Sequence, residues 1–296
     1  CSSDLTLTAM AKEIGFDVPL YTATGWGGAC IGDLLPVMGG YCEAPWDQRT
    51  CEIEPNANFV FSHTRNDALI ACDHHVENAN SYNEEDFPFL TAELGGGLQV
   101  TMHRRPVAKG CDVGAMSTVK MGSGAGLLGY YMYHGGSNPK GKLSTLQESR
   151  ATGYLNDLPE INYDFNAPIR QYGTISDSYR EIKLLALFLN DFGEDMASLR
   201  SEIPTIRILP GDMHTVRTAC RHDADHGYVF FNNYQRRWKM DDHPQVKLEG
   251  LLDGKASVGF PAFDLKGGMY GFFPYNMKLN DAVLQTALAT PLCVLH

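Results

Sequence analysis

A chain of 296 residues with 44% aliphatic, aromatic and cysteine side chains has material for one or two domains with a real core. Its formal net charge of −11 argues against nucleic acid or an anionic membrane surface as a partner, and no apolar run reaches the ~18 residues that a bilayer span needs. The eight cysteines are scattered without a CxxC pair, against a zinc ribbon or thioredoxin-like site. Cys42 and Cys51 bracket a loop, and both pairing and free thiols remain open for them.

Leu5 to Ile14 has helical spacing and stops at Gly15, a good C-cap residue, and Asp17 to Thr22 then reads as a buried strand. Helix, glycine and strand in that order make an αβ unit of a parallel barrel. Residues 25–85 are rich in Gly, Pro and Asn and weakly periodic. One strand is expected there, Ala57 to Ser62, and the rest reads as loops that shape a substrate mouth. His74, His75 and Glu77 fall in this stretch, where adjacent histidines on a polar loop without a third ligand read as solvated, so no metal is expected.

Phe87 to Ala92 reads as a buried strand that delivers Glu93 and then three glycines, Gly95 to Gly97, whose bare backbone lets a ligand approach closely. A helix is expected near Asp112 to Met121 and a strand over Leu127 to His134. Gly122-Ser-Gly-Ala-Gly126 follows a helix and leads into a strand, the reverse of a phosphate-binding loop. Ser176 to Met196 is the clearest helix, with Ser176 as N-cap and Tyr179, Ile182, Leu185 and Leu189 on one face, and is expected to close the barrel. Pro204 and Pro210 mark Ala197 to Pro210 as a linker. Beyond it, Gly227 to Asn232, Val246 to Glu249, Ala256 to Phe260, Tyr270 to Phe273 and Val283 to Ala289 are short runs between turn residues, the pattern of a small antiparallel domain.

Four stretches carry a family resemblance. They are Val18-Pro-Leu-Tyr-Thr-Ala-Thr-Gly-Trp26; Thr91-Ala-Glu-Leu-Gly-Gly-Gly-Leu-Gln99 with His103-Arg-Arg-Pro106; Tyr130-Tyr-Met-Tyr-His-Gly-Gly-Ser-Asn138; and Tyr163-Asp-Phe-Asn-Ala-Pro168 followed by Tyr172-Gly173. In this order they resemble glycoside hydrolase family 35, which contains β-galactosidases. The resemblance implies a retaining hydrolase on a (β/α)8 barrel, with Glu93 after the seventh strand as the nucleophile that forms a covalent glycosyl-enzyme.

The family's acid/base glutamate lies in an Asn-Glu pair upstream of the segment matching Val18 to Trp26, and none of the residues before Val18 fits it. The chain therefore reads as α/β: the C-terminal half of a (β/α)8 TIM-type barrel over residues 1–198, followed by a β-rich accessory domain over 199–296. Retaining chemistry needs two carboxyl groups roughly 5–5.5 Å apart, so the isolated chain is expected to be inactive.

The resemblance places Tyr131 beside the bound sugar, where a ring with a hydroxyl suits both the apolar face and the polar edge of a pyranose. Trp26 offers a second ring, and His134, Asn138 and Tyr163 are further contacts. Phe165 stands where some relatives carry a tyrosine, and Leu98 and Gln99 where some place a tryptophan. Arg104 and Arg105 either help hold the charge of Glu93 or pair with other carboxylates at the barrel rim. The expected partner is an oligosaccharide or glycan with terminal β-galactose, with no metal or organic cofactor, and the family suggests an exported or periplasmic setting. A β-glucosidase or β-glucosaminidase on the same barrel, and a non-catalytic carbohydrate-binding or scaffold remnant, stay open as alternatives.

Overall fold

The computed structural model describes residues 2–23, 32–44, 47–65, 82–143, 145–154 and 156–295. Two compact units interleave along the chain. One holds Cys1–Thr50, Thr64–Val107 and Leu127–Thr174; the other holds Cys51–His63, Ala108–Gly126 and Ile175–His296. This division runs differently from the 1–198 and 199–296 split that the sequence predicts.

The first unit is built on a parallel sheet in strand order β1-β2-β3-β4, formed by Tyr21–Ala23, Leu35–Gly40, Leu90–Leu94 and Leu127–Tyr130. Helix α1, Ser2–Glu13, precedes it and ends as expected, with Gly15 at φ 91°. A β-branched or aromatic side chain at Gly15 would strain that left-handed position. The apolar side chains Leu7, Met10 and Ile14 of and just after α1 are exposed. The sheet is four strands wide and open among the described residues. A short antiparallel pair, β5 (Gly136–Ser137) with β6 (Asn162–Tyr163), follows the C-terminal end of β4. The expected strand Leu127 to His134 stops at Tyr130, where the chain turns.

The second unit is a five-stranded antiparallel sheet with two helices. Its order is β15-β14-β9-β8-β7, from Ala282–Thr286, Tyr270–Leu279, Gly227–Asn232, Arg217–His222 and Arg200–Glu202. Every residue of β9 is buried, because the alternation of the strand feeds two cores at once. Tyr228 and Phe230 join Phe272 on one face, while Val229 and Phe231 join Phe273 and Tyr275 on the other. The second face is covered by Leu248, Phe260 and Leu265, from the segments that carry the two small sheets β10–β13 (His243–Val246 with Phe263–Leu265) and β11–β12 (Glu249–Gly250 with Val258–Gly259). On the first face lie Val119 and Met121 of helix α2, Gly110–Gly122, and Phe188 and Met196 of helix α3, Asp177–Ser198.

Three expectations are corrected here. Helix α3 starts after Ser176 as predicted, but its stripe of Leu185, Phe188, Leu189 and Phe192 packs into the antiparallel unit and not onto the parallel sheet. Ala57 to Ser62 is no strand: Ala57–Phe59 is a 3₁₀ turn capped by Asn56, whose side chain accepts from the Asn58 amide at 2.7 Å. The linker Ala197 to Pro210 contains β7, an edge strand paired with β8.

Two arginines of β8, Arg217 and Arg221, are almost fully buried, and among the described residues neither forms an ion pair with a carboxylate. Arg221 donates to the carbonyls of Met121 and Ala125 at and just past the end of α2, and to those of Met196, Ala197 and Leu199 at the end of α3. Helix C-termini leave carbonyls without intrahelical donors and carry the negative end of the dipole, so one guanidinium satisfies two helix ends. Arg217 does the same for the carbonyls of Phe59, Pro210, Asp212 and Tyr234 and for the Gln235 side chain. Burial pushes the pKa of each guanidinium down to about 10, which leaves both charged at neutral pH.

Candidate active site

The C-terminal ends of the parallel strands carry the site, as the topology favours. Pairing runs Met38 with Thr91 and then Gly39 with Glu93, and on the other side Thr91 with Leu128 and then Leu94 with Tyr130. Between Thr91 and Leu94, β3 therefore holds one residue more than either neighbour. Such a bulge re-aims a side chain, and it falls at Ala92-Glu93. The hydroxyl of Thr91 secures it, donating toward Leu127 and Gly129 carbonyls (3.2 and 3.3 Å) and accepting from the Gly129 amide at 3.0 Å.

Glu93 is buried, and its Oε1 accepts a hydrogen bond of 2.9 Å from the Tyr41 phenol, just past the end of β2. Tyr41 is 1% exposed. Burial first, then the charge of Glu93 and the hydrogen bond to it, hold the Tyr41 phenol well above its ordinary range, so it stays a donor to the carboxylate. Tyr131 and Tyr163 form a second pair, Oη to Oη 2.7 Å. Burial raises both phenols, and the charges of Glu93 and Glu148 act on each in the same direction. The Phe165 ring stands edge-on to Tyr131 at 5.6 Å and tilted against Tyr163 at 4.9 Å. The arrangement is a buried carboxyl group that accepts from a neutral phenol, with the Tyr131 and Tyr163 hydroxyls near enough to be affected by it.

The glycines after Glu93 serve packing within the protein, which corrects the expectation that they admit a ligand. A Cβ on Gly95 would lie 2.5 Å from the Tyr41 ring, one on Gly96 2.5 Å from the Met132 carbonyl oxygen, and one on Gly97 2.1 Å from that of Phe165. The run thus seats the ring that holds Glu93 and the turn that carries Phe165.

Of the residues singled out from sequence, Glu93, Tyr131 and Tyr163 come together. Trp26 lies outside the described residues, as do His74, His75 and Glu77. Asn138 is tied to backbone, through its amide to Ile161 O at 2.8 Å and its Nδ2 to Glu160 O at 3.3 Å. His134 is exposed, bridges to Ile169 and contacts the adjacent Gly135 carbonyl. Arg104 forms an ion pair with the buried Glu43 and also donates to the Ala44 and Asp47 carbonyls (3.3 and 3.2 Å), while Arg105 donates to the Thr101 carbonyl. Tyr41 was invisible to sequence reasoning, because only the pairing of β2 with β3 brings it to Glu93, 52 residues on.

Cys42 and Cys51 are not joined by a disulfide. Among the described residues no cluster of three or more His, Cys, Asp or Glu is placed to hold a metal, and no helix is long and apolar enough to cross a membrane. The chain matches no known protein-family model, and no curated protein matches it significantly.

Proposed function

We propose that this chain carries the nucleophile half of a retaining β-galactosidase of the family 35 type, removing terminal β-linked galactose through a covalent intermediate on Glu93. In this reading the four parallel strands are an arc of a (β/α)8 barrel, and Glu93 projects from the C-terminal end of the third. One observation carries the proposal: a carboxylate buried at a strand end, aimed by a bulge, and held by a phenol that keeps its own proton. A retaining nucleophile must be ionised and fixed in direction; the phenol's hydrogen bond favours the ionised form against burial, and the bulge fixes the direction. Tyr131, Tyr163 and Phe165 supply the ring-and-hydroxyl surface that a pyranose needs.

The test reads the nucleophile alone. A 2,4-dinitrophenyl 2-deoxy-2-fluoro-β-galactoside loses its leaving group without protonation, so a competent Glu93 displaces dinitrophenolate and keeps the fluorosugar as an ester. Mass spectrometry of the digested chain is expected to find that adduct on the peptide holding Glu93, absent in Glu93→Gln, and formed faster than with the gluco epimer. An unlabelled wild-type chain that still shows native circular dichroism would refute the assignment, and faster labelling by the gluco epimer would move the specificity to glucosides.

A further inference from the structure

The turn between β8 and β9 in the second unit carries two histidines, each with oxygen atoms facing both of its ring nitrogens. His222 is 1% exposed, and its Nε2 lies 3.2 Å from Glu202 Oε2 at the end of β7. Its Nδ1 lies 3.3 Å from the Asp223 carbonyl and 3.3 Å from Asp253 Oδ1. His226 stands across the turn, with Nε2 2.8 Å from Asp195 Oδ1 in the last turn of α3 and Nδ1 3.2 Å from Asp223 Oδ1. A neutral imidazole has a single N–H, so one nitrogen of such a ring turns a lone pair toward an oxygen, whereas the imidazolium donates at both. Each ring completes its contacts only with the second proton.

The other charges around the two rings are accounted for. Arg200 of β7 reaches both Glu202 (3.4 Å) and Asp253 (2.5 Å), and Lys255 pairs with Asp225 at 2.8 Å. Against burial, the amides of His226 and Asp225 hold the Asp223 carboxyl below its ordinary range. Tyr228 Oη donates to Asp195 Oδ2 at 3.3 Å and Tyr275 Oη to the Leu251 carbonyl at 2.6 Å. Burial holds both phenols above their ordinary range, so neither titrates alongside the histidines. The contacts of the rings converge from three segments. The chain of α3 runs through Leu199 directly into β7, which Glu202 ends, and the Asp253 amide, past β11, donates to the Asp223 carbonyl at 3.0 Å.

We infer that the β8–β9 turn is a proton-operated latch: with both rings doubly protonated, His222 and His226 clamp the end of α3, the edge strand β7 and residues 251–254 onto the sheet, and loss of those protons frees that edge. Release of β7 uncovers the backbone donors and acceptors of β8, the groups through which a sheet edge recruits another strand. The hydrogen bond to Asp195 raises the His226 pKa against partial burial. A raised folded pKa gives stabilisation that is complete below the unfolded value and is lost as pH rises through the folded one. The latch is therefore shut in acid and opens toward alkaline pH. Arg200 keeps its charge throughout and confines the opening to this edge. The latch lies in the second unit and is independent of the role given to Glu93.

The experiment is hydrogen exchange of the full chain across a pH series, read by mass spectrometry, with each rate divided by the chemical exchange rate at that pH. Peptides covering residues 196–204 are expected to lose about fivefold in protection from acid to alkaline pH, the strength of a partly exposed ion pair at its upper range. Peptides covering β15, the opposite edge of the same sheet, are expected to keep theirs. Asp195→Asn leaves both histidines in place and removes the carboxylate that favours the His226 proton, so the loss of protection is expected to move to lower pH. His222→Gln combined with His226→Gln is expected to abolish the dependence. Protection over residues 196–204 that ignores pH, or that falls together with β15, overturns the inference. So does an unshifted midpoint in Asp195→Asn, or a dependence that survives the double substitution in a chain with native circular dichroism.

Discussion

Replacing Tyr41 by phenylalanine isolates one hydrogen bond at the proposed nucleophile. The ring stays, so the close approach of Gly95 to it is undisturbed, while the 2.9 Å donor to Glu93 Oε1 is lost. Hydrogen bonds to a charged partner contribute ~1.5–3 kcal/mol, and at ~1.36 kcal/mol per pH unit the loss raises the pKa of the carboxylate by about one to two, which below that pKa means about a ten- to hundredfold slower labelling of Glu93. Slowing should be greatest at acid pH, because a carboxylate that loses a donor to its charged form ionises at higher pH. The acid limb of the labelling rate therefore moves upward. A purely structural tyrosine would change the melting temperature without moving that limb. The assay is the second-order rate of fluorosugar adduct formation against pH, followed by intact mass. A Tyr41→Phe chain within twofold of wild type at every pH would refute the claim that this phenol positions the nucleophile.

Other perturbations test the frame. Arg221→Met strips donors from carbonyls at two helix ends, and each buried carbonyl left without a donor costs ~1–3 kcal/mol; a urea midpoint corresponding to less than ~1 kcal/mol would contradict the role given to it. Gly97→Ala brings a Cβ to 2.1 Å from the Phe165 carbonyl oxygen, whereas Gly136→Ala meets nothing within 4 Å. Overpacking costs ~1–3 kcal/mol, so only the first variant should lower the melting temperature, and equal shifts would count against the packing argument. His226 is bonded at 2.8 Å to Asp195, which raises its pKa above the ordinary 6.5 against partial burial. A raised folded pKa contributes stability that is complete below the unfolded value and fades as pH rises through the folded one. The melting-temperature deficit of His226→Gln should accordingly be largest in acid and shrink toward alkaline pH, and a deficit that grows with pH would reverse the assignment.

The legible parts of this chain are those where one property repeats. The alternation of Tyr228, Val229, Phe230 and Phe231 and the apolar stripe of α3 both announce their elements, and Glu93 stands out between an apolar run and three glycines. Strand β8 hides because the positions it buries include Arg217, Arg221 and His222, which by composition look like a surface loop. Their burial depends on carbonyls supplied from distant segments, and no local pattern encodes that. The Glu93 environment is half legible: Tyr131 and Tyr163 follow from the resemblance, whereas Tyr41 depends on strand pairing and the bulge on a register that residue types do not reveal. Gln99 reads as an ordinary polar residue after glycines until its burial is seen.

The surplus residue in β3 makes the site a matter of counting. Deleting Ala92 would leave the strand enough chain to span the sheet and would restore an even two-residue rhythm from Thr91 to Leu94. The carboxylate would then follow the pleat and leave Tyr41 without its acceptor. Under the role proposed for Glu93, one codon thus separates a sheet that folds from a sheet that takes the fluorosugar label, and a shortened chain of that kind is expected to keep its architecture and stay unlabelled.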